Sequence, residues 1–153
     1  PAETLRSDPG IAGAFAHYDR LTTAVVAIGG WDARNSTVYQ ALGTEARERY
    51  SALGVCAEMS AQLFDSEGNQ IHSDLAERII SVRAEQLRRV PEVVAVAGAG
   101  DAAKARAVGA ALRSGLVSTL VTDSEVARVL LSEQGLGGEG GAVGAGDAGP
   151  EKT

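Results

Sequence analysis

The stretch VVAVAGAGDAAKARAVGAAL, residues 93–112, has the make-up of an anion cradle. β-Branched Val93, Val94 and Val96 run into Gly98-Ala99-Gly100, and a helix-forming stretch carrying Lys104 follows. Glycines at the end of a strand let the backbone come close to a ligand, and the free N–H groups of the next helix favour an anion there. A cation in the first helical turn is slightly unfavourable by itself, so Lys104 makes better sense opposite a negative charge. Gly98-x-Gly100-x-x-Ala103 also satisfies the loose dinucleotide fingerprint, with Asp123 about 20 residues on, where a ribose-binding acid belongs. Two points weigh against a dinucleotide. The strand follows earlier strands, whereas the fingerprint strand is normally the first of its domain, and a lysine directly after the third position has no part in a pattern built on bare backbone. Asp123 before Ser124 is equally a good helix cap. Local physics alone leaves a phosphate cradle and a plain tight turn with a solvated Lys104 equally open.

Other reactive groups are sparse. His17 and His72 have no ligands at metal spacing, so neither metal nor cofactor is expected. No Gly-x-Ser-x-Gly elbow and no Cys/His signature appears. The lone Cys56 excludes an internal disulfide, fits a reducing compartment and reads as a buried small hydrophobe. The DSEGN segment is too poor in alternating oxygen ligands for a calcium loop and reads as a hairpin turn. Arg83, Arg88 and Arg89 read as a solvated helix face. A net charge of −6 argues against a large basic surface, so these residues are not expected to grip nucleic acid by themselves. With no signal peptide and no long apolar run, a cytoplasmic protein without membrane contact is expected.

The elements that must carry these residues follow from pattern. The chain of 153 residues, 44% hydrophobic, suits one globular domain. It starts at Pro1 and runs straight into helical sequence, which reads as a fragment or a processed product. A helix is predicted over 8–20 with Asp8 as its cap, a strand over 22–30 ending in a Gly pair, and one or two helical turns by residue 42. A helix over 44–54 has Thr44 as cap and Gly54 as stop. Residues 55–65 read as one strand, turned at Gly68 into a short return strand at 70–72. Further strands are predicted at 78–82, 92–97 and 116–123, with helices at 83–90, 101–114 and 124–134. Strands alternating with helices imply a mostly parallel sheet flanked by helices, with a β-hairpin insertion. Residues 135–153 hold eight of the 19 glycines and are expected to be a disordered tail.

Several stretches then fall together: VVAIGGW with NSTVYQAL, LGVCAEMSAQLFDSEGNQI, and the long block from ERIISV to LVTDSEVARVLL. In this order and spacing they resemble the C-terminal part of the effector-binding domain of SorC/DeoR-like sugar-binding transcriptional regulators, over about residues 8–132. The resemblance implies a partial domain of the sugar-phosphate isomerase and CoA transferase type, spanning residues 1–134. It implies a bacterial regulator, not an enzyme, that binds a sugar or sugar phosphate. It also implies operator DNA held through a helix-turn-helix module outside this fragment, and a homo-oligomer, dimer or tetramer. The family's Gly-Ile-Gly loop corresponds to Ile28-Gly29-Gly30, and its acidic residue to Glu58, which would accept hydrogen bonds from sugar hydroxyls. Its Gly-Gly-x-x-Lys corresponds to the loop before Lys104, where Gly98 and Gly100 flank Ala99 and an extra Asp101 intrudes on an anion site. Ser36, with Trp31 and Asn35, falls in a loop that would close over the sugar. The alternatives are a sugar-phosphate isomerase with Glu58 as base, or the dinucleotide-binding domain with Asp123 on the ribose.

Overall fold

Six strands form one sheet in the order β4-β3-β2-β1-β5-β6 in the computed structural model, which describes residues 2–98 and 101–133. The strands are β1 (Thr23–Gly30), β2 (Ala57–Met59), β3 (Gln62–Phe64), β4 (Gln70–Ile71), β5 (Glu92–Val96) and β6 (Thr119–Val121). The helices are α1 (Ala2–Arg6), α2 (Pro9–Tyr18), α3 (Thr37–Ala41), α4 (Thr44–Ala52), α5 (Leu75–Arg78), α6 (Ala84–Leu87), α7 (Ala102–Arg113) and α8 (Ser124–Glu133).

β1 divides the sheet into two halves. On one side β1, β5 and β6 run parallel, with Val25 opposite Val94 and Val96 opposite Val121. On the other side β1–β2, β2–β3 and β3–β4 are all antiparallel. The parallel expectation therefore holds for three strands, while the antiparallel part is a three-stranded half rather than an inserted hairpin. The reason lies at residues 60–61. The run 55–65 does not continue as one strand; it reverses at Ser60 and Ala61, whose φ values of 51° and 62° give the backbone of a tight two-residue hairpin turn. No glycine or asparagine marks that turn. The marked turn, at Gly68 (φ 84°), forms as expected and leads into β4.

Two apolar clusters sandwich the sheet unequally. On one face Val26, Ile28, Met59, Phe64, Val93 and Ala95 pack with α7 and α8. Helix α7 lies close because its inner side is made of small residues, Ala105, Ala107, Val108, Gly109, Ala110 and Ala111, all buried. On the other face Leu63 gathers Leu42, Tyr50, Val55 and Leu75 from α4, α5 and the connecting loops. That second cluster covers only the antiparallel half. Over the parallel half the same face is bare, with Val25 at 71% exposure, Val96 at 45% and Val121 at 51%.

Three further expectations change in detail. Residues 79–82 form no strand: Ile79 packs on the second cluster and Val82 on the first, so this segment passes between the two cores. The N-cap of α4 is Gly43 rather than Thr44, and Tyr50 on that charged helix is buried at 1% exposure. The predicted 116–123 strand shortens to three residues. The helices at 9–18, 84–87, 102–113 and 124–133 fall where predicted, and Asp8 caps α2 by accepting from the Gly10 and Ile11 N–H groups. The expected tail, 135–153, lies outside the described residues.

Candidate functional site

The carboxyl ends of parallel strands are where α/β sheets collect ligands. Here those ends are Ile28-Gly29-Gly30 of β1 and the β5–α7 connection that leads to Asp101 and Lys104. β2 adds Glu58, whose backbone is paired with Gly29. Residues directly opposite in a ladder share a face. Glu58 therefore lies on the face that carries the bare valines, where the second core ends.

Gly29 is required by this pairing. A Cβ there would run into Glu58 Oε1 and come within 3.0 Å of both Cγ and Cδ. The carboxyl group folds over the glycine, and Glu58 as a whole is 8% exposed. Among the described residues its oxygens have one donor each: Oε1 accepts from the Ser36 hydroxyl at 3.3 Å, and Oε2 from the Ala61 N–H at 3.3 Å. Burial pushes the Glu58 pKa above its ordinary 4.5; the Ala61 N–H, the Ser36 hydroxyl and the nearby Lys104 charge pull it back without cancelling that rise.

Ser36 is buried at 4% exposure and is the N-cap of α3, accepting from the Tyr39 N–H at 3.0 Å. Its hydroxyl donates to Glu58 Oε1, which helps to hold that carboxyl group in place. Trp31 is likewise a packing residue: it meets Tyr39 and Tyr50 edge-on and donates Nε1–H to Ser51. Asn35 closes the loop on itself, with its side chain on Asp32 Oδ2 and its carbonyl accepting from the Gly30 N–H.

Lys104 stands in the first turn of α7 and reaches across to β1, where Nζ donates to the Ile28 carbonyl. The helix start itself is already occupied. Asp101 is the N-cap of α7; its Oδ1 accepts from the Ala103 N–H at 3.0 Å and the Lys104 N–H at 3.2 Å. Its other oxygen pairs with Arg34 at 3.0 Å. The structure thus brings Gly29, Ser36, Glu58 and Lys104 together. Gly98 sits at the end of the β5 segment, where a Cβ would come within 3.1 Å of Asp123 Oδ2. Gly100 lies outside the described residues.

Asp123 caps α8, accepting from the Glu125 and Val126 N–H groups at 3.0 and 2.9 Å. That is the capping role, not the ribose-binding one. His17 sits against Arg20 on the helix flank, and His72 lines a cleft of about 480 Å³ along β3 and β4, with Gln62, Gln70, Asp74 and Arg83. Glu58 does not line that cleft. Cys56 is half-buried against the first core, and burial raises its thiol pKa, as suits a packed small hydrophobe. Sequence reasoning missed Arg34, the Ala61 N–H and the Ile28 carbonyl. An Asx turn was readable at Asp32-Ala33-Arg34-Asn35, since Asp32 Oδ1 accepts from the Arg34 and Asn35 N–H groups. The other two are backbone groups, placed by pairing alone.

Helices flanking a mixed sheet, with polar groups gathered at the carboxyl ends of its parallel strands, define an α/β ligand-binding domain. More specifically, the chain belongs to the family described as "Putative sugar-binding domain", whose model matches residues 1–132. It is 27% identical over 132 residues to the transcriptional regulator YjhU of Escherichia coli, covering 86% of this chain and 40% of that one. It is 25% identical over 117 residues to the sorbitol operon regulator of Klebsiella pneumoniae, covering 76% of this chain and 36% of that one. Among solved structures, a transcriptional regulator from Streptococcus pneumoniae superposes with a TM-score of 0.75 at 25% identity, over 88% of this chain and 51% of the other. The chain thus spans about four-tenths of the curated relatives it matches. Family and relatives support the regulator reading over the isomerase and dinucleotide alternatives. Among the described residues no helix is long and apolar enough to cross a membrane.

Proposed function

We propose that this chain is the C-terminal part of the effector-binding domain of a transcriptional regulator, and that it recognises the hydroxyl groups of a sugar or sugar derivative. The observation that carries this is the buried Glu58, held over Gly29 at the open end of the parallel strands. A carboxylate is an acceptor with more capacity than its two donors here use, and vicinal hydroxyls are its natural partners. Lys104 supplies the complementary donor. The relatives' names, both of them regulators and one of a sorbitol operon, support a sugar ligand and a regulatory role.

In this reading Gly29 contributes backbone, Glu58 and Lys104 contact the ligand, and Ser36 is a positioning residue that sets the Glu58 rotamer. Occupancy changes operator binding only through differential affinity for two arrangements of the whole regulator, which acts as a homo-oligomer in the cytoplasm and holds DNA through another domain. Isothermal titration of the full-length protein against hexoses, hexitols and their phosphates tests the reading. The expected result is saturable binding by one member, lost in Glu58→Ala and weakened in Lys104→Ala. No binding by any member, or binding indifferent to both changes, overturns it.

A further inference from the structure

From the Asp101 contacts we infer that Asp101 is a specificity-determining residue, and that the part of the ligand lying against the start of α7 is uncharged. The inference rests on the sugar-binding reading and deepens it.

A helix N-terminus opposite a glycine-bearing strand end normally offers two resources to an anion: free N–H groups and the positive end of the helix dipole. Among the described residues, an internal carboxylate takes two of those N–H groups and sits at the positive end of the dipole. Asp101 Oδ1 accepts from two of the N–H groups, those of Ala103 and Lys104. Its Oδ2 takes the guanidinium of Arg34, at 3.0 Å. The Lys104 ammonium gives one of its three donors to the Ile28 carbonyl on β1 and keeps the others for a ligand. The neighbouring acids add to the same balance. Asp32 is held below its ordinary 3.8, because hydrogen bonds from Asn35 and from the Arg34 and Asn35 backbones outweigh the effect of burial. Asp32 and Asp101 offset the charges of Arg34 and Lys104, so before Glu58 is counted the cluster offers a phosphate no net positive charge. A phosphate brought here would meet a like charge in the place its best donors should be, and would have to break the Asp101 cap to reach them. A hydroxyl meets no such barrier: it donates to Glu58 or Asp101 and accepts from Lys104.

The test is a ratio measured on the full-length protein, with a hexose, its 1-phosphate, its 6-phosphate and its 1,6-bisphosphate as probes. Wild type is expected to bind the free sugar or one monophosphate best and to gain nothing from a second phosphate. Asp101→Asn keeps a capping oxygen and removes the charge, and it should improve bisphosphate binding relative to the best other probe by about tenfold. Asp101→Ser, which caps equally well, should do the same, and unchanged melting of both variants confirms that the helix start is intact. A wild type that binds the bisphosphate more tightly than either monophosphate overturns the inference, as does a ratio unmoved in both variants. Neither result touches the sugar-binding reading. Absence of binding by all four probes and by the wider panel above overturns that reading and this inference with it.

Discussion

Glu58 is an acid whose charged form the fold disfavours. Its folded pKa is raised, chiefly by burial, above the value it has in the unfolded chain. The folded protein therefore binds the proton more tightly, and the stabilisation is fully present below the ordinary carboxylate value and lost as pH rises through the folded pKa. Glu58→Gln, whose amide can still accept from Ala61 and donate to the Ser36 oxygen, should melt close to wild type below pH 4.5 and above it at neutral pH. Thermal melts of both proteins across that range check the sign; a gap that shrinks towards neutrality would contradict the assignment. Gly29 is coupled to the same carboxyl group. Gly29→Ala should displace Glu58, lower stability by roughly 1–3 kcal/mol in denaturant titration, and abolish ligand binding. The importance of Glu58 was legible only by resemblance, because a glutamate in an apolar run looks like a solvent-facing strand residue until its cross-strand partner is known.

At the scale of elements, the parts with local signatures were readable and the parts set by pairing were not. Asp8 and Asp123 announce their helices because a cap is a contact within three residues. The β1 and β5 strands are short β-branched runs ended by glycine, and both appear as expected. The Ser60–Ala61 turn was invisible because neither residue type favours positive φ, and the turn holds only because β2 and β3 pair across it. Its strain has a use: the reversal aims the Ala61 N–H at Glu58. Ala61→Gly should relieve the left-handed backbone and stabilise the chain by up to about 1 kcal/mol, less the loss of a buried methyl, while leaving the Glu58 contact in place. Chemical denaturation together with ligand titration checks both halves of that statement. The strand expected at 78–82 is the converse error. Ile79 and Val82 have partners, but in two different cores, and no sheet edge receives them.

On the scale of the molecule, one face of the sheet is finished and the other is half finished. Parallel strands are ordinarily covered on both faces. Here Val25, Val96 and Val121 stand together in the open, aligned by the β1–β5–β6 register. The chain studied alone should self-associate with concentration in sedimentation velocity. Replacing the three valines with threonine should reduce that association, with a change in stability within about 0.5 kcal/mol per site, as expected of exposed positions. The residue pattern carried this outcome in part, since a continuous apolar strand asks for two covers. Which half of the sheet lacks its cover depends on long-range packing that no local window contains.

The hairpin turn at Gly68 bears on how freely this sequence can drift. A Cβ at that position would fall 2.5 Å from the Ser114 nitrogen, 2.6 Å from the Arg113 carbonyl carbon and 2.9 Å from the Ala110 oxygen, all backbone atoms at the end of α7, and φ is already 84°. Arg113 clasps the same turn through the Ser66 carbonyl at 2.8 Å. No rotamer change can make room, since nothing in the way is a side chain. A saturation library sorted for folded protein should return glycine alone at 68. At Gly13 and Gly43, where a Cβ would meet nothing within 4 Å, the same library should return a broad alphabet.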